Sequence, residues 1–227
     1  MADSLDCVGD VFVIELLIPV LGRPQNAQPL VDSITAATKV PHRITFLVNK
    51  EGDEDEYYAC LRTGANVIRS PDERYAPKIN LGASLSTAEF FFLGADDLAF
   101  RPDWDRAAID RFYETEKPVV GTNDLGNATV MQGKHATHSL VHRSYLELGT
   151  IDEPGKLLHE GYQHNWVDTE FIATAMKRDA FTFCRESEVE HLHPFWHKGP
   201  DDAIYEKGRQ TYPLDRRLYL KRRRFWR

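Results

Sequence analysis

Apolar residues along the chain follow two rhythms, and the alternation between them predicts a layered α/β fold. Val11 to Val20 is a β-rich apolar run that ends in the turn residues Pro19-Val-Leu-Gly-Arg23-Pro24, as expected of a parallel strand buried on both faces. Asn26 to Thr38 then sets Leu30, Val31, Ile34 and Ala37 at helical spacing, and Pro41 closes the segment. A second strand is expected over Arg43 to Val48. Acidic residues from Glu51 to Glu56 open a short helix through Leu61, since negative charge suits a helix N-terminus, and Gly64 fits its end. Asn66 to Arg69 predicts a third strand, Pro77 to Thr87 a helix, and Glu89-Phe-Phe-Phe-Leu93 a very hydrophobic central strand. Asp103 to Glu116 is amphipathic, with Trp104, Ala107, Ala108, Arg111 and Phe112 on one face, and Pro118 to Gly121 is another short strand. This β-then-α alternation argues for a mostly parallel central sheet flanked by helices. The second half reads as loop-rich and holds eight of the nine histidines.

Composition narrows the class. The longest apolar stretch, Val11 to Leu21, is broken by Glu15 and Pro19 and is too short to cross a bilayer. No basic segment precedes it, so a secretory leader is not expected. Cys7, Cys60 and Cys184 are odd in number and far apart, which fits a reducing cytoplasm better than a disulfide framework. Charge is uneven. Leu214 to Arg227 carries seven basic side chains against Asp215, a balance of +6, so the rest of the chain carries −13 against a total of −7. Residues 1–213 are therefore expected to form one domain, and 214–227 a basic, aromatic tail that either docks on the acidic body or contacts a polyanion.

In a parallel sheet, ligands bind at the carboxyl ends of the strands, where Arg23, Asn49, Asp96, Asp97 and Asn123 should gather. Asp96 and Asp97 are two like charges directly after a buried strand, an arrangement that calls for a cation; carboxylate oxygens suit Mg2+ or Mn2+. The alternative is a capped turn leading to Pro102 and Asp103. His191 and His193 alternate as on an extended segment and so point the same way, toward a shared ligand or into ordinary packing. Asp168, in Trp166-Val-Asp168-Thr-Glu170, is either a helix cap or a general base.

Taken in order, these motifs resemble glycosyltransferases of the GT-A fold, most closely the large inverting class called family 2 and its small bacteriophage-encoded versions. The resemblance rests on Pro19-x-x-x-Arg23-Pro24, Lys78-x-Asn80-x-Gly82, Phe92-Leu-Gly-Ala-Asp96-Asp97, Asp168-x-Glu170 and His191-x-His193, spanning residues 11 to about 205. It implies that Asp96 binds the divalent metal bridging the donor's phosphates, with Asp97 beside it and His193 or His191 as a further ligand. It also implies that Asp168, with Glu170 in the same motif, serves the acceptor hydroxyl. Pro19, Arg23, Asn49, Asp53, Lys78, Asn80 and Asp97 would line the pocket of a UDP-sugar or GDP-sugar. Two departures stand out: Gly94 occupies the first acidic position of the usual D-x-D, and the second strand ends in Val48-Asn49-Lys50 without the usual acid.

Two other classes remain open on sequence. A metal-dependent phosphoesterase or nuclease could use Asp96, Asp97, His191 and His193, and a transferase-like binding module could have lost catalysis. The acceptor is equally open: a hydroxymethylated base in DNA fits the basic, aromatic tail, and protein side chains and glycans remain candidates.

Overall fold

The computed structural model describes residues 13–226. The strand expected from Val11 begins at Ile14; Cys7, Val11, Phe12 and Arg227 lie outside the described residues. The chain runs β1 (Ile14–Pro19), α1 (Ala27–Ala37), β2 (His42–Asn49), α2 (Glu54–Arg62), β3 (Asn66–Ser70), α3 (Tyr75–Leu85) and β4 (Phe90–Leu93). It continues through β5 (Leu98–Phe100), α4 (Trp104–Thr115), β6 (Val119–Asn123), α5 (Ala128–Met131), β7 (Ser139–His142) and α6 (Tyr145–Leu148). The last elements are α7 (Val167–Lys177), β8 (Phe181–His191) and α8 (Ala203–Arg222).

One mixed sheet organises these elements in the order β3-β2-β1-β4-β7-β6-β8-β5. Strands β1 to β4 are parallel, as the β-then-α alternation requires. Alternate residues of β1 and β4 go to opposite faces. Leu16, Ile18, Phe90 and Phe92 pack with α1, α2 and α4 on one side, whereas Leu17, Phe91 and Leu93 pack with α3 and α7 on the other. Phe92 meets Trp104 and Phe100 edge-on at 4.8 and 5.3 Å, and burying each such ring contributes about 2–3 kcal/mol. The one acid in β1, Glu15, is buried but satisfied by Arg43, Thr45 and Ser86, so its charge ties β1 to β2 and to the end of α3.

The second half corrects the loop-rich expectation. Strand β7 inserts antiparallel between β4 and β6, and the eleven-residue β8 pairs first with β6 and then with β5. Helix α8 is twenty residues long and passes through Pro213 without a break, so the expected boundary at residue 214 falls inside one helix. Its inner face is docked. Asp215 accepts from the backbone N–H groups of Gln163, His164 and Asn165, and Arg222 pairs with Glu170 and Asp152. Arg216, Arg217, Leu220, Lys221 and Arg224 face solvent.

Strand register positions the acidic pair. Leu93 ends β4, and the chain turns at Gly94 into β5, whose first residue, Leu98, lies opposite His191. Asp97, one residue earlier, is thereby held beside the end of β8, and its carbonyl accepts from Leu192 N at 2.9 Å. Space at Gly94 is tight: a Cβ there would meet the tip of the Ile18 side chain at 2.5 Å, which would have to shift.

Candidate active site

A cavity of about 430 Å³, within the range of small-molecule sites, opens at the carboxyl ends of β1 and β4. Of the residues expected to form a site, it brings together Pro19, Arg23, Lys78, Asp96, Asp97, Asp168, His191 and His193. Asn49, Asp53, Asn80, Glu170 and Asn123 do not line it. Asn80 clasps the backbone N–H and carbonyl of Leu158, at 3.0 and 2.8 Å. Asp53 and Asn49 face one another behind the turn at Gly22. Glu170 accepts from Arg222 and, at 2.6 Å, from Tyr162, so it serves as an anchor for α8. Asn123 donates to the Arg185 carbonyl.

The acidic pair carries its own counter-cation. Arg23, on the loop after β1, donates to Asp96 Oδ1 at 3.1 Å and to Asp97 Oδ2 at 3.5 Å. Through Nε and Nη2 it makes a two-pronged pair with Asp202, at 2.8 and 3.0 Å. Asp202 is also the N-cap of α8, accepting from Ile204 N and Tyr205 N, so the start of this helix is fastened to the acidic pair. Tyr205 adds its ring against the Arg23 guanidinium and its hydroxyl to Asp97. His191 Nε2 lies 3.4 Å from Asp97 Oδ1 without the alignment of a hydrogen bond.

The two carboxyls respond in opposite directions. Burial, reinforced by the charge of Asp97, pushes Asp96 up to about 7. Burial alone would also raise Asp97, but His191, the Tyr205 hydroxyl and Arg23 hold it well below the usual carboxylate range. Burial and the neighbouring His191 take both His138 and His193 down to about 4, so these rings are neutral. Lys78 is lowered to about 8 by burial and donates to the Val20 carbonyl at 2.6 Å.

Asp168 stands in the first turn of α7. Its burial is outweighed by His135, whose Nε2 is 3.1 Å away, and the carboxyl is held below its ordinary value. The chain enters this helix with Trp166 at φ 68°, an unusual conformation for a bulky residue, and the indole lines the cavity. Tyr219 of α8 stacks on it at 4.7 Å.

Oxygen atoms at the acidic pair suit a divalent cation. Asp96 Oδ2 and Asp97 Oδ1 are buried and have no hydrogen-bond partner. Among the described residues no three acidic, histidine or cysteine side chains already converge on a metal position. Mg2+ and Mn2+ accept one or two carboxylates when substrate phosphates and water complete the shell, so the residues fit a metal that arrives with a phosphorylated ligand.

Sequence reasoning did not assign roles to Asp202, Tyr205, His135, His138 or Trp166. Asp202 before Ala-Ile-Tyr205 carries a readable helix-cap signal; the other four have no spacing that separates them from ordinary core or surface residues.

No protein-family model matches the sequence, and no curated protein matches it. Solved structures do match by shape. Glucosyl-3-phosphoglycerate synthase from Mycobacterium tuberculosis, in complex with Mn2+, UDP and glucosyl-3-phosphoglycerate, aligns with a TM-score of 0.61 at 12% identity, over 87% of this chain and 75% of that one. A mannosyltransferase from Pyrobaculum calidifontis, in complex with GDP-mannose and Mn2+, aligns with a TM-score of 0.62 at 11% identity, over 80% of this chain and 57% of that one. The chain thus has the mixed α/β architecture of the GT-A glycosyltransferases, with a mostly parallel sheet flanked by helices.

Proposed function

We propose that the chain is a glycosyltransferase that moves a sugar from a UDP-sugar or GDP-sugar to an acceptor hydroxyl, with inversion and with Mn2+ or Mg2+. The observation that carries this reading is the pairing, in one cavity, of an acidic pair with two oxygens that accept no hydrogen bond and a separate ionised carboxylate, Asp168. The fold supports it, since the solved neighbours hold Mn2+ with UDP or GDP-mannose.

When bound, the metal neutralises charge on the departing nucleoside diphosphate. Asp96 and Asp97 would hold it, with His191 or His193 as a further ligand. Arg23 and Lys78 add positive charge where the phosphates lie. Asp168 takes the proton of the acceptor hydroxyl; its lowered pKa keeps it ionised, and His135 fixes its orientation. Ile204, Tyr205 and Tyr212 of α8 line the cavity on its α8 side.

For the acceptor we take a hydroxymethylated base in DNA. The exposed side chains Arg216, Arg217, Lys221 and Arg224 support it, as a cationic face suited to phosphates. Tyr219 and Trp226 are turned toward Trp166 and each other, so this contact works through charge and not through base stacking.

The test is incubation with UDP-glucose or GDP-mannose and Mn2+, with and without hydroxymethylated DNA. Release of nucleoside diphosphate and a hexose mass gain on the DNA are expected, and Asp168→Asn should slow transfer by about 10²–10⁴-fold with donor affinity retained. Release of nucleoside monophosphate instead would point to phosphoesterase chemistry and sink the transferase reading.

A further inference from the structure

One polar atom at the donor end of the cavity has no role in the mechanism above. His138, immediately before β7, lines the cavity and is 4% exposed. Its Nδ1 lies 3.0 Å from the Leu93 carbonyl. A carbonyl only accepts, so Nδ1 carries the proton, and Nε2 of the neutral ring is left as a bare acceptor. No donor meets that atom, and it is buried beneath the cavity wall, so a ligand reaches it once the ring or the neighbouring His191 turns. A buried acceptor without a partner is costly, and it marks a place where a partner comes from outside the chain.

Its position says which partner. Leu93 lies opposite Ser139 in the antiparallel pairing of β4 with β7, so His138 stands beside the end of β4. There Gly94 presents no side chain of its own. On one side the ring is 5.1 Å from His191, which flanks Asp97; on the other, Asp168 lines the same cavity and is held at 3.1 Å by His135, three residues before His138. A donor with its diphosphate at the acidic pair, attacked by a hydroxyl at Asp168, must place its sugar between these two ends. His138 occupies that interval.

We propose that His138 Nε2 accepts a hydrogen bond from one hydroxyl of the donor sugar and makes the protein selective for that hydroxyl. The assignment rests on the transferase reading and deepens it, naming a sugar contact contributed by the residue just before β7. Because the acceptor is neutral and cannot donate, it discriminates against sugars that lack a hydroxyl at that position.

The experiment measures Mn2+-dependent binding and nucleoside diphosphate release with UDP-glucose and GDP-mannose, then with the monodeoxy analogues of whichever sugar is accepted. In the wild type, one deoxy position should lose about 10–100-fold in kcat/KM, the others much less. His138→Phe should weaken the parent donor by a similar factor and bring the sensitive analogue level with it, while UDP or GDP alone binds as before. His138→Gln, which keeps an acceptor, should recover part of the preference. Thermal melts establish that both variants fold. If a folded His138→Phe keeps the wild-type ratio, or if no deoxy position stands out in the wild type, the assignment is wrong and the transferase reading survives. If the wild type neither binds nor cleaves any nucleotide sugar, both fall together.

Discussion

Two arginine–carboxylate clusters hold the two ends of α8, and they differ in one respect. At the C-terminal end Arg222 meets Glu170 and Asp152, with Tyr162 completing the set, and both oxygens of each carboxylate have partners. At the N-terminal end Arg23 meets Asp96, Asp97 and Asp202, yet Asp96 Oδ2 and Asp97 Oδ1 are buried without a hydrogen bond, the latter having only His191 at 3.4 Å. Similar residue types at similar burial thus make a closed clamp in one place and an incomplete site in the other. The unsatisfied oxygens, more than the acidic residues as such, distinguish binding chemistry from anchoring.

The comparison is sharpest in its separation of activity from stability. Asp96→Asn removes one of two like charges at the open cluster, so donor-dependent activity should fall by about 10²-fold or more, measured as nucleoside diphosphate release. Its melting temperature should stay level or rise, because the carboxylate repulsion is relieved. A large loss of stability would mean that the open cluster is also an anchor. Arg222→Ala should do the reverse. It leaves Glu170 buried without its cation, at a cost of roughly 3–5 kcal/mol in a urea titration, while the folded fraction keeps its donor affinity. Loss of donor binding at full folding would break the comparison from the other side.

How far each cluster was legible follows from what encodes it. Ile14–Pro19 and His42–Asn49 are apolar strands separated by a helix with its own stop signal, and the acidic pair closely follows another such strand, Phe90–Leu93, so local pattern was sufficient there. Strand β7 has four residues and no alternation to read; only the gap between β4 and β6 makes it a strand. In α8 the docked face rests on Asp215, Leu218, Tyr219 and Arg222, polar or isolated positions that resemble a solvated tail until their partners 50 and more residues away are known. Glu170 was drawn into the site because it shares a motif with Asp168. Two residues along a helix turn it through about 200°, away from the cavity and toward Arg222.

The closed clamp also predicts a small pH effect. Arg222 holds the Asp152 carboxyl down to about 2, below its ordinary 3.8. A carboxyl lowered in the folded state stabilises above its unfolded pKa, and that contribution is lost as pH falls from about 4 through about 2. Asp152 is 40% exposed at its side chain, so solvent screening limits the gain to under about 1 kcal/mol. Urea titrations of the wild type and Asp152→Asn should therefore differ by this amount at about pH 6 and converge toward about pH 2. A constant difference across that range would assign the role of Asp152 to packing and not to charge, leaving Glu170 as the ionic partner through which Arg222 holds the C-terminal end of α8.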